Sequence, residues 1–148
     1  GDNAPWKIGE YLPPRVRLNG SGGANDIAVG AKRYLIMASH EARRFMEKVD
    51  YVSSPGYLDG GDAREKAGFI GGGPSAIIST LGILRPHPST KEFILDAYYP
   101  FTTVEEVKDS TGWDLKISPD LRVVPEPTEQ ELENLRAVDV TGSLRRKG

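Results

Sequence analysis

Glycine and proline interrupt this chain so densely, 17 and 11 times in 148 residues, that only short elements joined by many turns fit between them. A bundle of long helices is excluded on that ground. The length suits one domain with a real core. The apolar and charged shares, 38% and 27%, are those of an ordinary soluble protein. Nineteen basic residues against 21 acidic ones leave a net charge of −2, so nucleic acid and membrane surfaces find no electrostatic hold. Arg145-Arg146-Lys147 reads as a solvated tail. No apolar stretch approaches the ~20 residues that span a bilayer, and no signal-peptide core opens the chain. The lack of cysteine rules out disulfides, thiolate metal sites and thiol nucleophiles, and fits a reducing cytoplasm. The first residue is glycine, so a processed product, a trimmed tag or a piece of something longer is expected.

The prolines at 5, 13 and 14 make residues 1–19 an extended edge or surface strand. Arg33 to Ala38 is a compact apolar run that predicts a buried strand, and Phe45 to Val52 alternates as a half-buried one, although Glu41 to Lys48 also suits a turn or two of helix. From Ser53 to Pro74 runs a long loop of the functional or mobile kind. Ala76 to Leu84 and Glu92 to Tyr99 predict a hairpin joined by Arg85 to Lys91. Thr103 with Glu106 makes a capping box for a helix that turns Val104 and Val107 inward and stops near Gly112. Leu115 to Ile117 and Arg122 to Val124 predict two short strands around Ser118-Pro119-Asp120. A second box, Thr128 with Glu131, opens a last helix whose Leu132, Leu135 and Val138 recur at helical spacing. The fold class is therefore α/β, an open sheet with an antiparallel hairpin component.

Gly20-Ser21-Gly22-Gly23-Ala24-Asn25-Asp26 opens onto the small apolar run Ile27-Ala28-Val29. Three glycines in four positions allow close backbone approach, and a helix starting near Asn25 would aim its orphan N–H groups at the same spot. That suits an oxyanion, a phosphate or a carboxylate, and equally a tight turn between packed elements. It is neither the dinucleotide fingerprint nor a P-loop. His40 is a candidate acid–base or positioning group at a strand end, or else a capping or surface histidine. His87 lies between two prolines at a hairpin tip, where solvent is expected. The two histidines offer no metal-site spacing. Asp59-Gly60-Gly61-Asp62 suits a cation or an Asx turn. Arg43, Arg44 and Arg64 suit bidentate binding of a carboxylate or phosphate, or surface ion pairs. No Gly-x-Ser-x-Gly nucleophile elbow occurs.

Longer runs then carry a resemblance. Pro14-Arg15-Val16-Arg17-Leu18, with Gly20 through Ala28, resembles the C-terminal portion of family I CoA-transferase B subunits of the glutaconate type. The likeness continues from Arg44 through Gly68, at Ser79 to Ile83, and from Thr103 to Leu115. It takes in nearly the whole chain, so residues 1–148 read as the C-terminal part of a B-subunit-like domain, a partial domain of the CoA-transferase fold.

The resemblance implies ping-pong transfer of CoA between an acyl-CoA and a carboxylic acid, a dicarboxylate in the nearest type. A B-subunit glutamate attacks the thioester and later carries CoA as a glutamyl thioester. Backbone N–H groups of Gly22 and Gly23 would hold the oxyanion, with Gly20, Ser21, Ala24 and Asn25 lining the CoA thioester. The nucleophilic glutamate stands before an Asn-Gly pair in the family, and no Glu-Asn-Gly occurs here. The implied partners are the family's A subunit, together with an N-terminal segment of the B subunit. CoA thioester is substrate, with no permanent cofactor and no metal. Decarboxylation or hydrolysis of a CoA thioester on the same fold, or a non-catalytic assembly module, are the alternative expectations.

Overall fold

The computed structural model describes residues 22–49 and 51–142, with the backbone of residues 7–8 and 16–17. Two short strands, β1 (Lys7–Ile8) and β2 (Val16–Arg17), pair antiparallel. Then follow α1 (Ala24–Gly30), β3 (Tyr34–Ala38), α2 (Ala63–Lys66), β4 (Pro74–Ser79), β5 (Gly82–Pro86) and β6 (Phe93–Tyr98). The order closes with α3 (Val104–Asp109), β7 (Ile117–Val123) and α4 (Glu129–Val138). The main sheet runs β3-β4-β5-β6-β7. Its two outer pairs are parallel and its two inner pairs antiparallel, so the expected α/β class with a hairpin component holds.

Register decides which side chains form the core. Ile77 pairs with Leu84 and Leu84 with Leu95, which puts all three on one face of the sheet. Phe45, Val107 of α3 and Leu115 close over that face, and Leu84, Leu95 and Val107 are wholly buried. The opposite face is thinly covered. Met37 aligns with Ile78, and Ile78 with Ile83, so an apolar strip runs across three strands there.

Several expectations need correction. Arg33 to Ala38 does form a strand, but not a buried one: Leu35 is 59% exposed and Met37 81%. The cause is topological, since β3 is the outermost strand among the described residues and lacks a neighbour on one side. Phe45 to Val52 forms no strand among the described residues. The Glu41 carbonyl accepts both Arg44 N–H and Phe45 N–H, a turn that swings the Phe45 ring against His40 with centroids 3.9 Å apart. An isolated bridge, Met46 to Gly112, follows.

The run Ala76 to Leu84 splits into β4 and β5, because Ser79 Oγ accepts Leu81 N–H and Gly82 N–H and closes a tight turn. Gly82 then lies so near the next strand that a Cβ would stand 2.5 Å from the Ala97 carbonyl oxygen. The two strands expected around Pro119 merge into β7. Its partner advances from Leu95 to Ala97 while β7 advances from Ile117 to Arg122, so the proline segment bows out of the ladder where its missing N–H costs nothing. The expected 53–74 loop contains the single turn α2.

The helix caps also differ in detail. Thr103 Oγ1 accepts Glu106 N–H as expected, but the Glu106 carboxylate accepts from Thr102 Oγ1 instead of reaching back, so that box is half made. The Thr128–Glu131 box is complete. Its helix buries no residue, so the periodic Leu132, Leu135 and Val138 do not belong to the core.

Candidate functional site

Gly22 and Gly23 form the turn that leads into α1. Gly22 has φ +57°, the left-handed region where a side chain is strained. Gly23 is the N-cap residue, its carbonyl accepting Ile27 N–H at 3.1 Å, and no side chain caps the helix start. A Cβ at either glycine would meet nothing within 4 Å. Both glycines, Ala24 and Asn25 are exposed, so an open glycine face stands at the front of α1. Gly20 and Ser21 lie outside the described residues.

The three candidate arginines do not converge on that turn. Arg43 and Arg44 are exposed and paired with Glu41, at 2.5 and 3.5 Å. The Arg43 hydrogen bond, helped by both guanidinium charges, holds the Glu41 carboxyl below its usual range. Arg64 is buried, and the expectation of an anion ligand or a surface ion pair fails there. Its Nε donates to Gly71 O at 2.9 Å, Nη1 to Gly56 O at 2.9 Å and Pro55 O at 3.4 Å. Nη2 donates to Ala28 O at 2.5 Å and Val29 O at 3.4 Å. Every N–H of the fork is thus spent on a backbone carbonyl.

Two tyrosines, unmarked by any sequence motif, work on the same segments. Tyr34 donates to Pro55 O at 3.0 Å, and Tyr57 to Pro74 O at 3.0 Å. Burial raises both phenol pKa values, against the pull of the Arg64 charge. The signal that was available is Gly71-Gly72-Gly73, a run that permits close backbone contact. A Cβ at Gly71 would sit 2.1 Å from Ala31 O, and one at Gly72 2.6 Å from Lys32 O.

His40 is neither a surface nor a free acid–base group. It is buried, with Nδ1 2.8 Å from Ser79 Oγ and Nε2 2.9 Å from Thr111 Oγ1. Thr111 Oγ1 donates to Val107 O, so it must accept from a proton on Nε2. Ser79 Oγ accepts two backbone N–H groups, and its one proton lies within reach of both Gly82 O and Nδ1, at 2.8 Å each, so it does not fix the state of Nδ1. Burial lowers the His40 pKa, which favours the neutral ring.

A pH dependence follows for stability. Above about 6.5, the unperturbed histidine value, the ring is neutral in folded and unfolded chains and the network contributes fully. Below it, the unfolded chain takes up a proton that the folded one resists, so stability falls with pH. Denaturant midpoints compared at pH 8 and pH 5.5 should show a drop that His40→Gln reduces. An equal drop in the variant would refute it.

The remaining candidates are structural. Gly60 and Gly61 have positive φ, and Gly61 N–H donates to Thr90 O, which docks the Asp59–Asp62 turn on the β5–β6 hairpin. Asp62 pairs with Lys66 at 2.9 Å. His87, expected in solvent, is half-buried and braces the hairpin, its Nδ1 accepting Ser89 N–H and Thr90 N–H. Among the described residues no group of His, Cys, Asp or Glu side chains could hold a metal ion, and no helix is long and apolar enough to cross a membrane.

The family model for coenzyme A transferase matches residues 1–110. The chain belongs to the coenzyme A transferase family. This CoA-transferase chain is 42% identical over 132 residues to the B subunit of 3-oxoadipate CoA-transferase from Pseudomonas knackmussii, covering 89% of itself and 51% of that relative. It is 47% identical over 112 residues to the B subunit of glutaconate CoA-transferase from Acidaminococcus fermentans, covering 75% and 42%. The crystal structure of the Acidaminococcus enzyme superposes with a TM-score of 0.82 at 38% identity, over 99% of this chain and 56% of that one. A more distant relative is the cholesterol ring-cleaving hydrolase IpdB subunit of Rhodococcus jostii, 28% identical over 140 residues, with 93% and 54% covered. The CoA-transferase chain thus spans about half the length of the curated relatives it matches.

Proposed function

We propose that this chain is the glycine-turn half of a CoA-transferase B subunit, which supplies oxyanion contacts for transfer of CoA between an acyl-CoA and a carboxylic acid. The single observation behind the reading is the open Gly22-Gly23 turn at the front of α1, in a chain of this family. A glutamate carboxylate on a segment outside residues 1–148 attacks the thioester carbonyl. The oxyanion so formed accepts hydrogen bonds from Gly22 and Gly23, with Gly20, Ser21, Ala24 and Asn25 beside the thioester. CoA thiolate departs, leaving an acyl-glutamyl anhydride. It then attacks the glutamyl carbonyl, releasing the first acid and forming a glutamyl-CoA thioester. A second carboxylate, a dicarboxylate by the glutaconate and oxoadipate likeness, reverses these steps and leaves as its CoA ester.

The partners of this reading are the A subunit, together with the remaining half of the B subunit on the same or another polypeptide. Sheet geometry supports the second of these. A parallel strand such as β3 is normally covered on both faces, yet Leu35 and Met37 are bare and one edge of β3 is free among the described residues. A further parallel strand and its helix would complete both. The lack of cysteine fits placement in the cytoplasm.

The test is a trap on the complex purified from its source. Acyl-CoA is added, borohydride reduces any glutamyl-CoA thioester, and intact masses are read for each chain. The expected result is a reduced glutamate outside this chain. Thioester consumed with no modified glutamate overturns transfer in favour of hydrolysis, the activity that the IpdB likeness supports.

A further inference from the structure

Arg64 carries a buried positive charge whose N–H groups meet only carbonyl oxygens, and among the described residues it has no carboxylate partner. We propose that Arg64 is the positioning residue of the glycine turn: it grips the C-terminal end of α1 and so fixes where Gly22 and Gly23 present their amides. The inference rests on reading those glycines as oxyanion donors.

Little else holds α1 in place. Of its seven residues only Ala28 is buried, Ile27 is 58% exposed, and no strand or other helix among the described residues makes an extended contact with it. Its last carbonyls have no partner inside the helix, and a cation at that end is favoured by the helix dipole. Arg64 meets both needs through Ala28 O and Val29 O, and Gly71 N–H adds a bond to Val29 O at 2.9 Å.

The other donors of Arg64 tie the same guanidinium to Pro55, Gly56 and Gly71. Tyr57 ties that loop to Pro74 at the start of β4. One side chain thus links α1 to the frame of the sheet. The glycine turn stands at the other end of α1, about 10 Å away at 1.5 Å per residue. A small rotation at the anchor moves both amides off the oxyanion, and a misplacement near 1 Å costs about 10²-fold in rate. Lysine keeps the charge but not the planar fork, so it does not reproduce the grip.

The test uses the assembled enzyme, in which this chain is joined by the rest of its B subunit plus the A subunit. Arg64→Lys is expected to raise hydrogen exchange over Ala24–Gly30 by about tenfold while β4, β5 and β6 stay protected, and to lower kcat by about 10–100-fold with KM for acyl-CoA within about threefold. Gly71→Ala pushes on the same joint from the other side, with a Cβ 2.1 Å from Ala31 O, and should give the same split even if Arg64→Lys does not fold. Lys66→Ala, in the same helical turn, should change neither reading. Unchanged α1 exchange, unchanged kcat, or loss of protection spread over the whole sheet would overturn the proposal. Absence of CoA transfer in the wild-type complex would sink the functional reading instead, and α1 exchange would still decide whether Arg64 anchors the turn.

Discussion

Replacing Gly23 with proline is expected to slow the assembled CoA-transferase by about 10²–10³-fold while leaving its melting temperature nearly unchanged. The substitution removes one N–H and little else. Gly23 has φ −79°, inside the range that the pyrrolidine ring imposes, and a Cβ there meets nothing within 4 Å. It precedes the first helical residue, where no intrahelical bond uses that donor, and the residue before it is the permissive Gly22. The rate loss corresponds to about 3–4 kcal/mol on the activation barrier, the usual cost of one oxyanion donor. Gly23→Ala, which keeps the N–H, should stay within a few-fold of wild type. Single-turnover rates at saturating acyl-CoA would check both. A proline variant as fast as the alanine one would remove Gly23 from the oxyanion site.

Leu95→Ala should cost about 2–5 kcal/mol of stability, a large share of the roughly 5–15 kcal/mol that holds a domain together. Leu95 is wholly buried, pairs with Leu84 across the hairpin and lies in one cluster with Phe45, Val107 and Leu115. Those neighbours come from a turn, a helix and a strand approach, so they cannot close on the vacated volume together. Urea denaturation should show a lower midpoint with an unchanged slope. A loss below about 1 kcal/mol would mean that the sheet face collapses onto the gap and that this cluster is not the core.

Much of this architecture was legible because it is encoded locally. The Thr128–Glu131 box and the strand expected from Glu92 to Tyr99 each rest on residues within a few positions of one another, and both appear as expected. The errors arise where a distant contact decides. Nothing near Leu35 or Met37 marks β3 as an edge, since an apolar run looks the same beside one strand or two. Phe45 leaves its alternating pattern because His40 offers a ring to stack on. Ser79-Thr80-Leu81-Gly82 was a missed turn signal, a serine and a glycine three apart.

The site divides in the same way. The glycine turn is visible in seven consecutive residues. The role of Arg64 is not, because its carbonyl partners come from positions 28, 29, 55, 56 and 71, and carbonyls carry no residue identity. His40 was hidden too, since the hydroxyls that its ring nitrogens meet lie 39 and 71 positions away.

The bare margin of β3 has a consequence for the life of the chain in a cell. Among the described residues one edge of β3 is unpaired and flanked by Leu35 and Met37, a template onto which any extended segment can add, including β3 of another copy. On the proposed reading, a copy made without its completing half therefore carries the seed of its own precipitation. Expression alone should yield inclusion bodies, and co-expression with the completing half should yield soluble protein. On that reading, supply of the completing half would set the ceiling on how much of this chain persists, a quality check that needs no dedicated sensor.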